Sequence, residues 1–128
     1  MYRIVFLLFI HTGADFILQG DKMSKLKAEK FIYLLAHVAI YTVAFIVLSP
    51  LALNLTFMQG LVFSLINGAA HLAVDFVTSN LKMKYWEESQ GKYIAVVSVD
   101  HFLHVAILIA TYIFMYPQAL VVAPGVGF

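Results

Sequence analysis

The chain has 128 residues, of which 62% are hydrophobic and only 12% charged, and it contains no cysteine. A soluble domain is about half apolar and about a quarter charged, so this composition puts a single domain in a bilayer and excludes intrinsic disorder. Without cysteine there is no disulfide scaffold and no thiolate zinc site, and a net charge of +1 offers no basic face to nucleic acid.

Charge and turn residues divide the chain into four apolar segments. The first covers residues 2–19. It begins like a secretory leader, with Arg3 ahead of an apolar run. His11 and Asp15 interrupt that run and no small-residue cleavage site follows, so a retained helix is expected. The second segment covers 31–48 and is expected to stop before Ser49-Pro50. The third covers 57–81. The fourth covers 93–116 and ends at Pro117. A span needs about 20 residues at 1.5 Å each, and the two shorter segments reach with tilt or snorkelling ends. The runs are apolar almost throughout rather than alternating, which selects helices over strands. The expected fold is all-α: one polytopic domain over 1–128 with four transmembrane helices. Residues 117–128 form an apolar tail to which no chemistry is assigned.

Lysines set the expected direction. Connection 20–30 carries Lys22, Lys25, Lys27 and Lys30, and connection 82–92 carries Lys82, Lys84 and Lys92. The stretch 50–56 and the tail carry no charge. The positive-inside rule puts the two lysine loops in the cytoplasm and both termini outside, with Arg3 the one dissenting charge. Most of these lysines are expected to face water and headgroups. Attraction of an anionic substrate is the sharper reading.

All five histidines (His11, His37, His71, His101 and His104) fall inside expected spans, as do Asp15, Asp75 and Asp100. An aspartate at a helix centre costs at least about 2.5–3.5 kcal/mol in a membrane. Such residues face protein or water and not lipid. His11/Asp15, His71/Asp75 and Asp100/His104 are each four apart, so each pair shares a helix face. The third segment extends this into a stripe of Ser64, Asn67, His71, Asp75 and Thr78 or Ser79. Counted at about 1.5 Å per residue from the cytoplasmic ends, the polar residues other than His101 lie about 6–16 Å deep, in one layer.

The chain also repeats. His11-Thr-Gly-Ala-Asp15-Phe16 matches His71-Leu-Ala-Val-Asp75-Phe76, and His37-Val-Ala-Ile matches His104-Val-Ala-Ile. It reads as a duplicated two-helix hairpin, with half-repeats 2–48 and 57–116 and a pseudo-two-fold axis along the membrane normal. Each copy supplies His, Asp and His, and the second adds Asp100. Two such triads can hold two divalent ions, with Asp100 bridging them or binding a ligand water. Imidazole and carboxylate without sulfur suit Zn, Mn or Fe, and Mg ranks lower. Paired ions activate water for hydrolytic displacement. His101, Asn67 and Gln19 are expected behind the ligands, orienting them or touching headgroups. The His–Asp pairs can equally act as hydrogen-bonding glue between helices. Tyr33, Tyr41, Tyr93, Tyr112 and Trp86 read as packing or interface residues, and Gly13, Gly60 and Gly68 as points of close helix contact.

The run His11-x3-Asp15-Phe16-x2-Gln19, the lysine-rich loop, His37, His71-x3-Asp75 and the closing Asp100-x2-His104 together resemble the small bacterial and phage membrane proteins grouped as domain-of-unknown-function family 3307. The resemblance covers nearly the whole chain and implies a bacterial inner-membrane location. That family's closing motif is Asp-Gln-x2-His, and here His101 replaces the glutamine. The family carries no activity to transfer. More distantly, the chain is similar to membrane-bound proteins classed as metal-dependent hydrolases.

Three functions follow as expectations. The first is a hydrolase acting on a lipid-linked or amphipathic phosphoester from the cytoplasmic leaflet, with Asp100 or Asp15 handling the proton. The second is a metal-ion or proton transporter, whose sign is water access from both sides. The third is a structural membrane protein with a closed polar or metal core. A homodimer suits four short helices that bury little of themselves.

Overall fold

The computed structural model describes residues 2–17 and 26–117. Helix α1 spans Tyr2–Thr12 and continues into a π-helical turn, Gly13–Ile17. Residues 26–29 form one helical turn. Helix α2 spans Phe31–Leu53, α3 spans Phe57–Glu88 and α4 spans Gln90–Met115. Helices α2, α3 and α4 are each long and apolar enough to cross a membrane, so the chain is an all-α polytopic membrane protein. Gln19, Lys22, Lys25 and the tail beyond Pro117 lie outside the described residues.

Three boundaries differ from the sequence reading. Helix α2 runs through Pro50 instead of stopping at 48. Proline costs the helix its own N–H bond and crowds the carbonyl four residues back, but this one sits in the last turn, so little helix follows the disturbance, and its carbonyl accepts from the Asn54 and Leu55 N–H groups. Asn54 takes the left-handed conformation (φ 55°) that ends the helix. Thr56 then opens α3 with a capping box closed by Gln59. Helix α3 continues past residue 81 to Glu88, and α4 starts at Gln90. The stretch 82–92, read as a loop from its charges, is therefore helical on both sides of Ser89. Lysine and glutamate end an apolar run but favour helix. Ser89 makes the break and caps α4 by accepting from the Lys92 N–H.

Each helix presents one narrow stripe inward. In α2 it is Leu34, His37, Val38, Tyr41, Phe45, Ser49 and Leu53. In α3 it is Gly60, Phe63, Ser64, Asn67, Gly68, His71, Asp75, Thr78 and Ser79. In α4 it is Asp100, His104, Leu108 and Tyr112, and in α1 it is Leu7 and His11. These are the three- and four-residue steps of a helix buried on one side. Packing runs α1 on α2, α2 on α3 and α3 on α4, with a light closing contact of α4 on α1. Leu7, Phe45, Phe63, Leu108 and Tyr112 share one apolar cluster. The histidines and aspartates gather at the other end, beside the lysines. Large apolar side chains such as Phe9, Phe102 and Phe114 cover the outside.

Two glycines permit the close approach of α2 and α3. A Cβ on Gly60 would run into the Pro50 ring, and one on Gly68 into the Thr42 side chain. Gly13 faces open space and makes no such contact. Gly60→Ala is accordingly expected to destabilise the bundle by about 1–3 kcal/mol through overpacking. Gly13→Ala should leave stability unchanged. Thermal unfolding in detergent compares the two, and equal midpoints would refute the packing argument.

Candidate metal centre

The site follows from four buried stripes meeting where their polar residues coincide. His11 and Asp15 come from α1 and its π turn, and His37 from α2. His71 and Asp75 come from α3, and Asp100, His101 and His104 from α4. Six of these eight are at most 7% exposed, Asp15 is 8% exposed, and His101 is half-buried. The histidine rings form a continuous cluster. His71 lies 5.1 Å from His37 and 4.1 Å from His104 between centroids, and His11 lies 5.7 Å from His104.

The inner donors are spaced as ligands are. His37 Nε2 is 3.1 Å from His71 Nε2 and 3.2 Å from Asp15 Oδ1. His71 Nε2 is 3.5 Å from Asp15 Oδ1. Asp75 Oδ2 is 3.4 Å from His37 Nε2 and 3.5 Å from His71 Nε2. Bonds of about 2.0–2.1 Å in a tetrahedron put donor atoms about 3.3 Å apart. Asp15, His37 and His71 form one buried group able to hold a metal ion, and His71, Asp75 and His104 form another. Both groups draw on His71.

Hydrogen bonding sharpens this. His104 Nδ1 lies 2.8 Å from the Asp100 carbonyl oxygen. A carbonyl only accepts, so Nδ1 carries the proton and the neutral ring bears its lone pair on Nε2. That Nε2 is buried, has no hydrogen-bond partner among the described residues, and faces Asp75 Oδ1 at 3.5 Å. His11 Nε2 is likewise buried and without a partner among the described residues, and Asp15 Oδ1 faces His37 Nε2 at 3.2 Å. Lone pairs facing one another in a dry interior repel, and a cation between them removes the cost. The Nδ1 atoms of His37 and His71 also lack partners among the described residues.

Asp100 stands apart from the ligand groups. Its carboxylate accepts from Thr78 Oγ1 at 2.5 Å and Lys82 Nζ at 2.9 Å. Lys27 Nζ meets Asp75 Oδ2 at 2.8 Å, with both side chains buried. A cavity of about 560 Å³ opens beside these lysines and reaches Asp15, His101, Asp100 and Ser79. Asn67 donates to the Phe63 carbonyl of its own helix.

Three residues carry more than their sequence reading gave them. Tyr41 stacks on His71 at 4.1 Å, and its hydroxyl is 3.1 Å from His11 Nδ1. The His37-x3-Tyr41 spacing puts both on one face and was the available signal. Lys27 and Lys82 reach back into the polar layer, and no periodicity announces a long flexible side chain doing so.

Residues 4–123 match a family described as "Protein of unknown function (DUF3307)". No curated protein and no solved structure matches.

The Lys27–Asp75 pair yields a test. Removing one partner of a buried ion pair costs about 3–5 kcal/mol, because the other charge is left uncompensated. Lys27→Met should lose about that much in chelator-treated protein and clearly less with zinc, which would neutralise Asp75 instead. Thermal unfolding with and without zinc reads the difference. An identical penalty in both would mean that no ion sits against Asp75.

Proposed function

The chain belongs to the DUF3307 family, and we propose that it is a membrane-embedded metal-dependent hydrolase acting on a lipid-linked or amphipathic phosphoester from the cytoplasmic side. The observation that carries this reading is the convergence of buried imidazole and carboxylate ligand atoms, His104 Nε2 against Asp75 Oδ1 among them, in one cluster. Because the two buried groups share His71, we assign them one ion, held by Asp15, His37, His71 and Asp75 with His104 beside them. The donor set favours Zn, Mn or Fe over Mg. Such an ion supplies Lewis acidity toward a phosphoryl oxygen and a water acidified toward neutral pH.

The chain's own groups supply the rest. Lys27 and Lys82 line the cavity and draw in an anionic headgroup. Asp100, held by Thr78 and Lys82 on the cavity wall, would take the proton of an attacking water. The phosphorus–oxygen bond to the leaving alcohol then breaks as the new one forms, and the proton passes to that alcohol. The finer architecture belongs to the same proposal. Helix α1, extended through its π turn, is a fourth span, the half-repeats 2–48 and 57–116 are related by a pseudo-two-fold, and the lysine end faces the cytoplasm. The repeat supports it, since His11/Asp15 and His71/Asp75 enter the same cluster.

A second reading, a purely structural polar core, draws on the two ion pairs, which neutralise Asp75 and Asp100 without an ion. The transporter alternative has less support, because Leu7, Phe45, Phe63 and Leu108 fill the half of the bundle away from the lysines.

Elemental mass spectrometry of detergent-purified protein, paired with release of alcohol from a fluorogenic phosphoester lipid in mixed micelles, tests the proposal. Wild type is expected to carry zinc, manganese or iron and to turn over. His37→Ala should lose the metal and reduce turnover by at least about 100-fold. Asp100→Asn should keep the metal and lose about 100-fold or more in rate. No metal after reloading would sink the hydrolase. Bound metal with no turnover would leave the structural reading.

A further inference from the structure

A third group of donors lies between the inner residues and the cavity. One ligand atom each from His11, Asp15 and His101 falls within 4.8 Å of the other two. His11 is fully buried, and its Nε2 has no hydrogen-bond partner among the described residues. Its Nδ1 is engaged with the Tyr41 hydroxyl at 3.1 Å. With Nδ1–H donating to that oxygen, the lone pair on Nε2 is left for a ligand. The His11 and His101 rings lie 5.8 Å apart between centroids. Asp15 belongs to this group and to the Asp15–His37–His71 group alike. A carboxylate has two oxygens, so one can serve each position. The π turn Gly13–Ile17 carries Asp15, and such turns are frequent at functional sites.

We infer that His11, Asp15 and His101 hold a second divalent ion, joined to the inner one through the Asp15 carboxylate. The inference rests on the metal-bearing reading of the inner group. It makes His101 a metal ligand, although one helical step separates it from the Asp100/His104 face. The two positions differ in access. His37, His71, Asp75 and His104 are at most 5% exposed, whereas His101 is half-buried and lines the open cavity together with the edge of buried Asp15. Three protein ligands with a face open to solvent is the pattern of a catalytic site, and a fully enclosed set is that of a structural one. His11, Asp15 and His101 would present their ion to the substrate's phosphoryl oxygen or the attacking water. Asp15, His37, His71 and Asp75 would hold theirs where it could help to neutralise the developing charge. Ions paired at about 3.5–4 Å act as such a clamp in two-metal hydrolysis.

Manganese titration of chelator-stripped full-length protein in detergent, read by equilibrium dialysis and low-temperature electron paramagnetic resonance, tests this. Wild type should bind two equivalents and show the spectrum of a spin-coupled pair. His101→Ala and His101→Gln should each bind one equivalent, with an uncoupled six-line spectrum and the second step weakened at least tenfold. Circular dichroism confirms that both variants fold, and His101 is partly exposed, so neither opens the core. Asp15→Asn should abolish the coupling. One equivalent in wild type, unchanged in the His101 variants, would overturn the second ion and leave the inner centre standing. No manganese and no zinc in any form would remove both.

Discussion

The structure depends on one constraint: inside a bilayer there is no water to solvate an imidazole or a carboxylate. Each of the polar residues in these helices must find protein, and each helix has only one stripe to offer. The stripes of α1 to α4 therefore face a common axis, and the positions of His11, His37, His71 and His104 settle how the helices rotate. Close approach is then needed for short side chains to touch. Gly60 and Gly68 provide it by letting α2 lie on α3 at Pro50 and Thr42. The apolar exterior carries no comparable information, since lipid accepts any of it.

Charge balance carries the argument further. Asp15, Asp75 and Asp100 bring three negative charges to the layer, and Lys27 and Lys82 bring two positive ones. With the histidines neutral and no ion, these described residues leave the layer one charge short of neutral. One divalent ion leaves a single positive charge, and two leave three. Either state favours an anion in the cavity that Asp15, Lys27 and Lys82 share. A phosphoester headgroup is such an anion, so the same groups that make the site suitable for metal make it suitable for that substrate.

Much of this was legible in the residues. The α3 stripe from Ser64 to Ser79 follows from helical spacing alone, and the structure buries every member of it. The grouping of ligands did not follow. The repeat implies the triads His11–Asp15–His37 and His71–Asp75–His104. Among the described residues the groups able to hold an ion are His71–Asp75–His104, Asp15–His37–His71 and His11–Asp15–His101. A repeat shows which residues correspond, not how far apart two helices stand at a given depth, and the π turn re-aims Asp15. Asp100 shows the same limit. Its spacing from His104 holds, yet Lys82 and Thr78 claim its carboxylate from the neighbouring helix. The charged stretch 82–92 misled for a different reason: leaving the membrane is a matter of polarity, whereas leaving a helix is a matter of backbone.

The layer is also one-sided. The histidines and aspartates, Lys27, Lys82 and the open cavity share one end of the bundle, and Leu7, Phe45, Phe63, Leu108 and Tyr112 pack toward the other. A transport path needs polar groups or water along its whole length, because each unsolvated step for a charge costs several kcal/mol. A hydrolase at an interface needs only one wet side. Its substrate keeps its tail in lipid and presents its headgroup at the boundary. The shallow groove of Phe16, Val97, Phe102 and Val105 meets the polar cavity at His101, so apolar and anionic surfaces adjoin at one ligand. An amphipathic molecule whose scissile bond lies between its two halves is what such a junction would place against an ion held by His101.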